Sequence, residues 1–150
     1  MSWSSIDYGD YWAHAHDWEQ ISFMALAPVY ITTSEHYKKL PWLLEWKDYW
    51  DDHKIHHGNG CSDIDLDGYL ISQNRVHDFK LFLNDYKKWL HTFGETISAE
   101  YMNKRIEGLG GKYFKPCSIN ELEAFVDKIV AVLEHDLNHH SVNMYQHDNS

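Results

Sequence analysis

The sequence predicts a mainly α-helical single domain of four or five helices. Apolar residues recur every three or four positions over 73–93 and again over 122–137, which places them on one face of a helix. A third amphipathic run follows Pro41, a residue suited to the first position of a helix. The 150 residues fit one ordinary domain. An α+β arrangement is the alternative, with a short strand or hairpin in 22–31 and 64–71.

The amino-terminal segment is rich in aromatic residues. Between Tyr8 and Trp18 these residues step by three and four, which predicts a short helix over about 10–20. Residues 22–31 are denser in apolar side chains and contain Pro28. Because proline suits either a helix end or an edge strand, helix and strand both stay open for 22–31.

The next helix is predicted to begin at Pro41. The run Thr32-Thr-Ser-Glu35 has the spacing of a capping box, which predicts a turn before it. At 100° per residue, five residues with rings fall on one arc of the helix: Trp42, Trp46, Tyr49, Trp50 and His53. Three carboxylates fall on another arc: Glu45, Asp48 and Asp52. We expect the tryptophan face to point inward and the acidic face to point to solvent.

The longest predicted helix follows Ser72, whose hydroxyl can accept a hydrogen bond from an N–H of the first turn. Its apolar stripe ends at Phe93, and Gly94 suits the position just after a helix.

Two further helices are predicted after Gly94. One opens at Ser98 and runs to about Gly108, and the other follows a capping box at Ser118 and runs to about Asn138. Residues 141–150 show no periodicity, so we expect a flexible tail.

The net charge of −10 is concentrated at the front of the chain. Residues 1–67 hold 4 basic and 12 acidic side chains. This field repels phosphate backbones, so we expect no direct binding of nucleic acid. The same field attracts a basic partner and speeds its encounter.

The cellular location is predicted from cysteines and apolar runs. Cys61 and Cys117 form no CxxC pair, and the first residues lack the pattern of a signal peptide. No run approaches the roughly 20 apolar residues of a membrane span. We therefore expect a cytoplasmic protein with two reduced thiols and no contact with membranes.

The string Asp63-x-Asp65-x-Asp67-Gly68 matches the first half of an EF-hand loop. The twelfth position holds Asn74, where a calcium loop has a bidentate glutamate. The alternative interpretation is an acidic turn with a glycine at its corner.

Twelve histidines raise the question of a metal site. His135 and His139 have the i, i+4 spacing with which a helix can hold zinc or iron. The alternative function is therefore a metal-dependent enzyme that uses this pair. Asp136 stands where HExxH zinc enzymes have glutamate, and no GxSxG or glycine-rich phosphate loop is present. We expect no catalytic residue, no cofactor and no enzymatic activity.

A partner-binding surface is the leading interpretation of the acidic front half. Clustered carboxylates with aromatic residues between them are typical of interfaces that capture a basic partner. The candidate contacts are Glu45, Asp48, Asp51, Asp52, Asp63, Asp65, Asp67 and Trp50.

In overall character, the chain resembles the small immunity proteins of bacterial toxin–immunity systems, such as those of contact-dependent growth inhibition. The resemblance rests on the acidic residues of 45–67, on seven Trp and ten Tyr, and on the lack of catalytic motifs. It implies a short, cytoplasmic, cofactor-free protein that binds a cognate toxin, often a nuclease, and covers its active site. It implies no particular fold and assigns no role to any single residue.

Overall fold

Helices form most of the chain, and two small antiparallel sheets accompany them. The structure is a computed structural model that describes residues 3–54, 64–108 and 111–146. The described elements are β1 (Trp3–Tyr8), β2 (Tyr11–His16), α1 (Asp17–Thr33), a 3-10 turn (Tyr37–Lys39), α2 (Pro41–His53), α3 (Leu66–Tyr69), α4 (Gln73–His91), β3 (Thr96–Ile97), α5 (Ala99–Arg105), β4 (Cys117–Ser118), α6 (Ile119–Leu133) and β5 (Val142–Met144). The mainly α prediction is confirmed, but the described residues form six helices rather than four or five, and the added sheets bring the chain close to the α+β alternative.

The predicted helix over 10–20 is wrong, because most of that segment belongs to a β-hairpin. Strand β2 buries Ala13 and Ala15 on one face, and both are 0% exposed. β1 and β2 pair through a turn at Gly9, whose φ of +59° suits glycine. The two-residue period of the small alanines decides this segment, although its aromatics have helical spacing.

Helix α1 lies at the centre of the packing and touches α2, α4, α5, α6 and β2. A strand over 22–31 is therefore wrong, since that segment is the apolar middle of α1. Pro28 lies buried inside the helix, where it removes one backbone donor. Among the described residues, neither α1 nor any other helix combines the length and apolar character that a membrane span requires.

The predicted capping box from Thr32 to Glu35 does not form. Thr32 belongs to the last turn of α1, and the Ser34 hydroxyl accepts instead from the Tyr37 N–H at 3.2 Å. The short turn before Pro41 that the pattern also predicted is present as the 3-10 turn.

Three predicted helix starts are confirmed by local hydrogen bonds and backbone geometry. α2 begins at Pro41, as predicted. Ser72 accepts from the Arg75 N–H at 3.2 Å to open α4, and Ser98 accepts from the Tyr101 N–H at 3.1 Å to open α5. Each of these signals lies within a few residues of the element that it starts, so the sequence alone can define it.

The carboxyl-terminal predictions need correction. α6 ends at Leu133 rather than near Asn138, and Ser118 makes no side-chain cap bond. Part of the predicted 141–150 tail is β5, which pairs with β2, while residues 147–150 lie outside the described ranges. The predicted strand in 64–71 is the short helix α3 instead.

Helices α4 and α6 run antiparallel, and three side-chain contacts join them in one register, so that a residue further along α4 meets one nearer the start of α6. Two are ion pairs: Lys80 with Glu134, just after α6, at 3.5 Å, and Lys87 with Asp127 at 2.7 Å. The third joins the ring of His91 to the carboxylate of Glu123.

A buried cluster of polar groups forms around the backbone N–H and carbonyl of Ile64, the first described residue before α3. The Ile64 carbonyl accepts from the indole N–H groups of Trp46 at 2.6 Å and Trp50 at 3.1 Å. Its N–H donates to the side-chain oxygen of Gln20 at 3.2 Å. Gln20 is 0% exposed and also donates to the Ser4 hydroxyl at 2.7 Å. These bonds fix the start of α3 against α1 and α2.

Replacing Gln20 tests the energetic weight of this cluster. Gln20→Leu introduces an apolar side chain of similar size and leaves the Ile64 N–H without its acceptor. We expect the free energy of unfolding to fall by about 1–3 kcal/mol, the usual effect of an unpaired buried polar group. Urea denaturation measures the change. The matched control is Gln73→Leu on the exposed face of α4, for which a loss as large would contradict this account.

Candidate functional site

Three carboxylates lie close enough to Tyr69, where α2 meets α3, for their charges to raise the pKa of its phenol. Burial raises the pKa of Tyr69 above the ordinary value of 10.0, and the charges of Asp65, Glu45 and Asp48 raise it further. Glu45 and Asp48 lie one turn apart on α2, whereas Asp65 immediately precedes α3. Together with the half-buried ring of Tyr49, these four residues define the acid–aromatic surface.

The aromatic part of this surface rests on the core. The ring of Tyr69 stacks on the fully buried Trp46, with ring centroids 5.4 Å apart and planes at 12°. Tyr49 lies 5.8 Å from Tyr69 and stacks on His53 at 3.9 Å. Because these rings are packed on one another, they are held in place before any partner arrives.

Asp65 sits in a tight turn that requires a glycine. Its backbone is left-handed, with a φ of +58°, and its carboxylate accepts from the Gly68 N–H at 3.1 Å. A Cβ at Gly68 would lie only 2.2 Å from the Asp65 carboxylate. Asp67 accepts from the Gly9 N–H at 2.9 Å, which ties the turn to the β1–β2 hairpin. Both carboxylates thus bind backbone amides, as in a structured acidic turn.

Some of the charge on α2 is neutralised within the helix. Lys47 contacts Asp48 at 3.0 Å and Asp51 at 3.1 Å, and Lys54 contacts Asp51 at 3.3 Å. Burial lowers the pKa of Lys47, but the bonds to these carboxylates outweigh it, so the pKa is raised overall. The carboxylate of Asp51 is therefore neutralised by two lysines of the same chain. The side chain of Asp48 stays 74% exposed and that of Asp52 73% exposed.

Trp50 is not on the surface, contrary to the prediction. It is 0% exposed and donates its N–H to Ile64 inside the core. Tyr49 and Tyr69 are the aromatic residues of this surface that were not among the candidate contacts. Helical spacing placed Tyr49 on the inward arc with the tryptophans, and in the fold it is half-buried at the edge of that arc. The remaining predicted contact, Asp63, lies outside the described residues.

The two histidines of the metal alternative do not lie on a helix. α6 has ended at Leu133, and His135 has a φ of +56° with its ring stacked on Tyr11 at 4.1 Å. His139 accepts from the Ser141 N–H at 3.2 Å. The i, i+4 helical geometry expected for the pair is therefore wrong. Within the described ranges, His, Cys, Asp and Glu side chains form no group of three or more that is placed to hold a metal ion.

No protein-family model matches the chain. Comparison with curated proteins and with solved structures also finds no similar protein.

The turn at Asp65 gives a prediction with a change of sign. Gly68→Ala forces the Asp65 carboxylate away and breaks its cap, so we expect a loss of about 1 kcal/mol in stability. In an Asp65→Gly background the obstacle is gone, and the same alanine should stabilise by roughly 0.5 kcal/mol through its helix propensity. Chemical denaturation of the four proteins measures both effects. An equal effect of alanine in both backgrounds would contradict the contact.

The electrostatics of the surface can be read from the titration of Tyr69. The triple variant Glu45→Gln, Asp48→Asn, Asp65→Asn should lower the pKa of Tyr69 while leaving that of Tyr8 in place. Burial and then Asp67 raise the pKa of Tyr8, so Asp67→Asn should have the reverse selectivity. NMR of the tyrosine ring carbons follows each phenol.

The sign of the stability effect follows from the same shift. The folded chain holds the Tyr69 proton more tightly than the unfolded chain does. Its contribution to stability is therefore complete below pH 10.0 and is lost as the pH rises through the folded-state pKa. If this contribution grew with alkaline pH, the assigned direction would be wrong.

Proposed function

We propose that this chain is an immunity-type inhibitor that binds the basic domain of a cognate toxin, a nuclease-like domain above all, and covers its active site. The observation that supports this proposal best is that Glu45 and Asp48 of α2 and Asp65 before α3 lie close enough to act on the charge of Tyr69, whose ring packs on Trp46 and beside Tyr49. Two segments distant in sequence bring their charges to one aromatic surface, and a basic partner is its natural complement.

The charge balance of the surface favours a partner with several cations. The helix α2 carries four carboxylates; Lys47 pairs with Asp48 and Asp51, and Lys54 pairs with Asp51, which leaves Glu45 and Asp52 without a lysine partner on this helix. Exposed carboxylates that remain close together repel one another, and this repulsion lowers stability until an external cation approaches. Binding of a basic surface relieves the repulsion, so both long-range attraction and contact energy favour the complex.

The aromatic rings supply the anchoring that exposed charges alone lack. Exposed ion pairs contribute about 0–1 kcal/mol each, so charge by itself gives fast but weak association. Tyr49 and Tyr69 are held on the core by stacking and offer rigid rings beside the carboxylates. Arginine side chains can pack on such rings while they pair with a neighbouring carboxylate.

Inhibition then follows from competition for the same cations. A nuclease holds the phosphates of its substrate with lysine and arginine side chains, and carboxylates can occupy those positions instead. Because the chain has a net charge of −10, it also repels the nucleic acid that competes for the groove. The inhibitor needs no cofactor and no reaction of its own under this mechanism.

The first test is the salt dependence of a defined complex. The partner to try is the small basic domain at the end of any large protein that is encoded beside this chain's gene. We expect a one-to-one complex that abolishes nuclease activity, with an affinity at least about tenfold weaker at 500 mM than at 50 mM salt. Calorimetry measures the affinity. An affinity independent of salt would overturn electrostatic capture.

The second test separates this surface from net charge in general. Glu45→Gln, Asp48→Asn, Asp65→Asn should slow association at least about tenfold, because steering depends on these charges. The control removes three exposed carboxylates from other elements: Glu95→Gln, Glu100→Gln, Glu107→Gln. Stopped-flow kinetics compares the two. If both variants associate equally slowly, the effect is one of total charge and the assigned surface is wrong.

A further inference from the structure

A hollow of about 620 Å³ lies on another part of the molecule, between the start of α1, the start of α6 and residues 112–118. Its walls include Trp18 from α1 and Leu122 and Phe125 from α6. Tyr113 and Phe114 complete the aromatic lining. Volume and lining both fall within the range of sites that hold small organic molecules.

The wall formed by residues 112–118 is anchored rather than loosely folded over the hollow. The side chain of Asn103 accepts from the Tyr113 N–H at 2.7 Å and donates to the Tyr113 carbonyl at 3.0 Å. The Tyr113 hydroxyl lies 2.5 Å from that of Ser22, and its ring packs edge-on against Trp18 at 4.8 Å. The hollow is therefore held open by hydrogen bonds that do not depend on an occupant.

The interior of the hollow is apolar. Phe125 is only 2% exposed, although it contributes to the lining. Burial, followed by the charge of Glu121, raises the pKa of the Cys117 thiol to about 11. The thiol is thus kept neutral, which matches an environment suited to hydrocarbon or aromatic groups.

The mouth has cations available. Four charged side chains line the hollow: Glu19, Lys112, Lys115 and Glu121. Glu19 is already bonded to Lys128 at 3.3 Å and to the backbone N–H of His16 at 2.9 Å. Two exposed lysines therefore face one remaining carboxylate, in a chain whose overall charge is strongly negative.

We propose that this hollow binds a small organic anion whose apolar body lies against Trp18, Phe125 and Leu122 and whose acidic group pairs with Lys112 and Lys115. The side chain of Phe114 also lines the hollow and is 86% exposed. The site is separate from the acid–aromatic surface, so it stands or falls independently of the proposed inhibition.

Two fluorescent probes that differ in one charge test the site. 1-Anilinonaphthalene-8-sulfonate has an apolar body and one sulfonate, and N-phenyl-1-naphthylamine has the same ring system without the sulfonate. We expect one sulfonate probe per chain. Lys112→Gln/Lys115→Gln should weaken its binding at least about fivefold and leave the neutral probe unchanged. The control Lys39→Gln/Lys88→Gln removes two exposed lysines elsewhere and should change neither probe.

Filling the hollow gives the second arm. Leu122→Trp should weaken both probes at least about tenfold, whereas Leu81→Trp, on an exposed position of α4, should affect neither. In a Cys61→Ser background, a saturating concentration of the sulfonate probe should also slow alkylation of Cys117. This measurement leaves all residues that line the hollow unchanged. The proposal is overturned if the Lys112→Gln/Lys115→Gln variant binds the sulfonate probe as tightly as the unchanged protein does. It is also overturned if Cys117 is alkylated equally fast with and without the probe.

Discussion

The acid–aromatic surface depends on the hydrogen bonds made by the buried backbone N–H and carbonyl of Ile64. A buried N–H and C=O must find partners, because leaving either unpaired costs more than an ordinary hydrogen bond contributes. Here Gln20 satisfies the N–H, and Trp46 and Trp50 both satisfy the carbonyl. These three partners come from α1 and α2, so the start of α3 is fixed against both helices. Because Asp65 directly follows Ile64, the same hydrogen bonds hold its carboxylate close to α2.

This arrangement explains how a surface of like charges can be kept in a folded protein. Carboxylates that lie close to Tyr69 repel one another, and nothing in local helix propensity favours bringing them together. The stabilisation comes from beneath, since Trp46 is wholly buried and carries the Tyr69 ring on its face. Lys47 offsets part of the repulsion on the flank of α2. Core packing thus supports a surface on which several carboxylates lie close together.

The parts of the fold that sequence reasoning could predict are those with local causes. Pro41 suits the first position of a helix, where its missing N–H needs no partner, and the Ser72 hydroxyl accepts from an N–H of the first turn. Both effects lie within one turn of the residue itself. β5 could not be predicted this way, because three residues become a strand only when β2, far away in sequence, offers an edge. The segment around Ala13 misled for a related reason. Its aromatic spacing indicated a helix, but the pairing with β1 decided otherwise.

The same distinction separates the predicted and missed parts of the candidate site. Glu45 and Asp48 follow from helical spacing alone, because the face opposite the tryptophans of α2 must be exposed. Tyr69 could not be found, since its position depends on bonds that Ile64 makes across the core. Trp50 lies among the acidic residues of α2, which made it a candidate contact, but the buried Ile64 carbonyl accepts its indole N–H inside the core. Composition indicates where acidic residues are concentrated, whereas the hydrogen bonds that buried backbone groups require decide which side chains face outward.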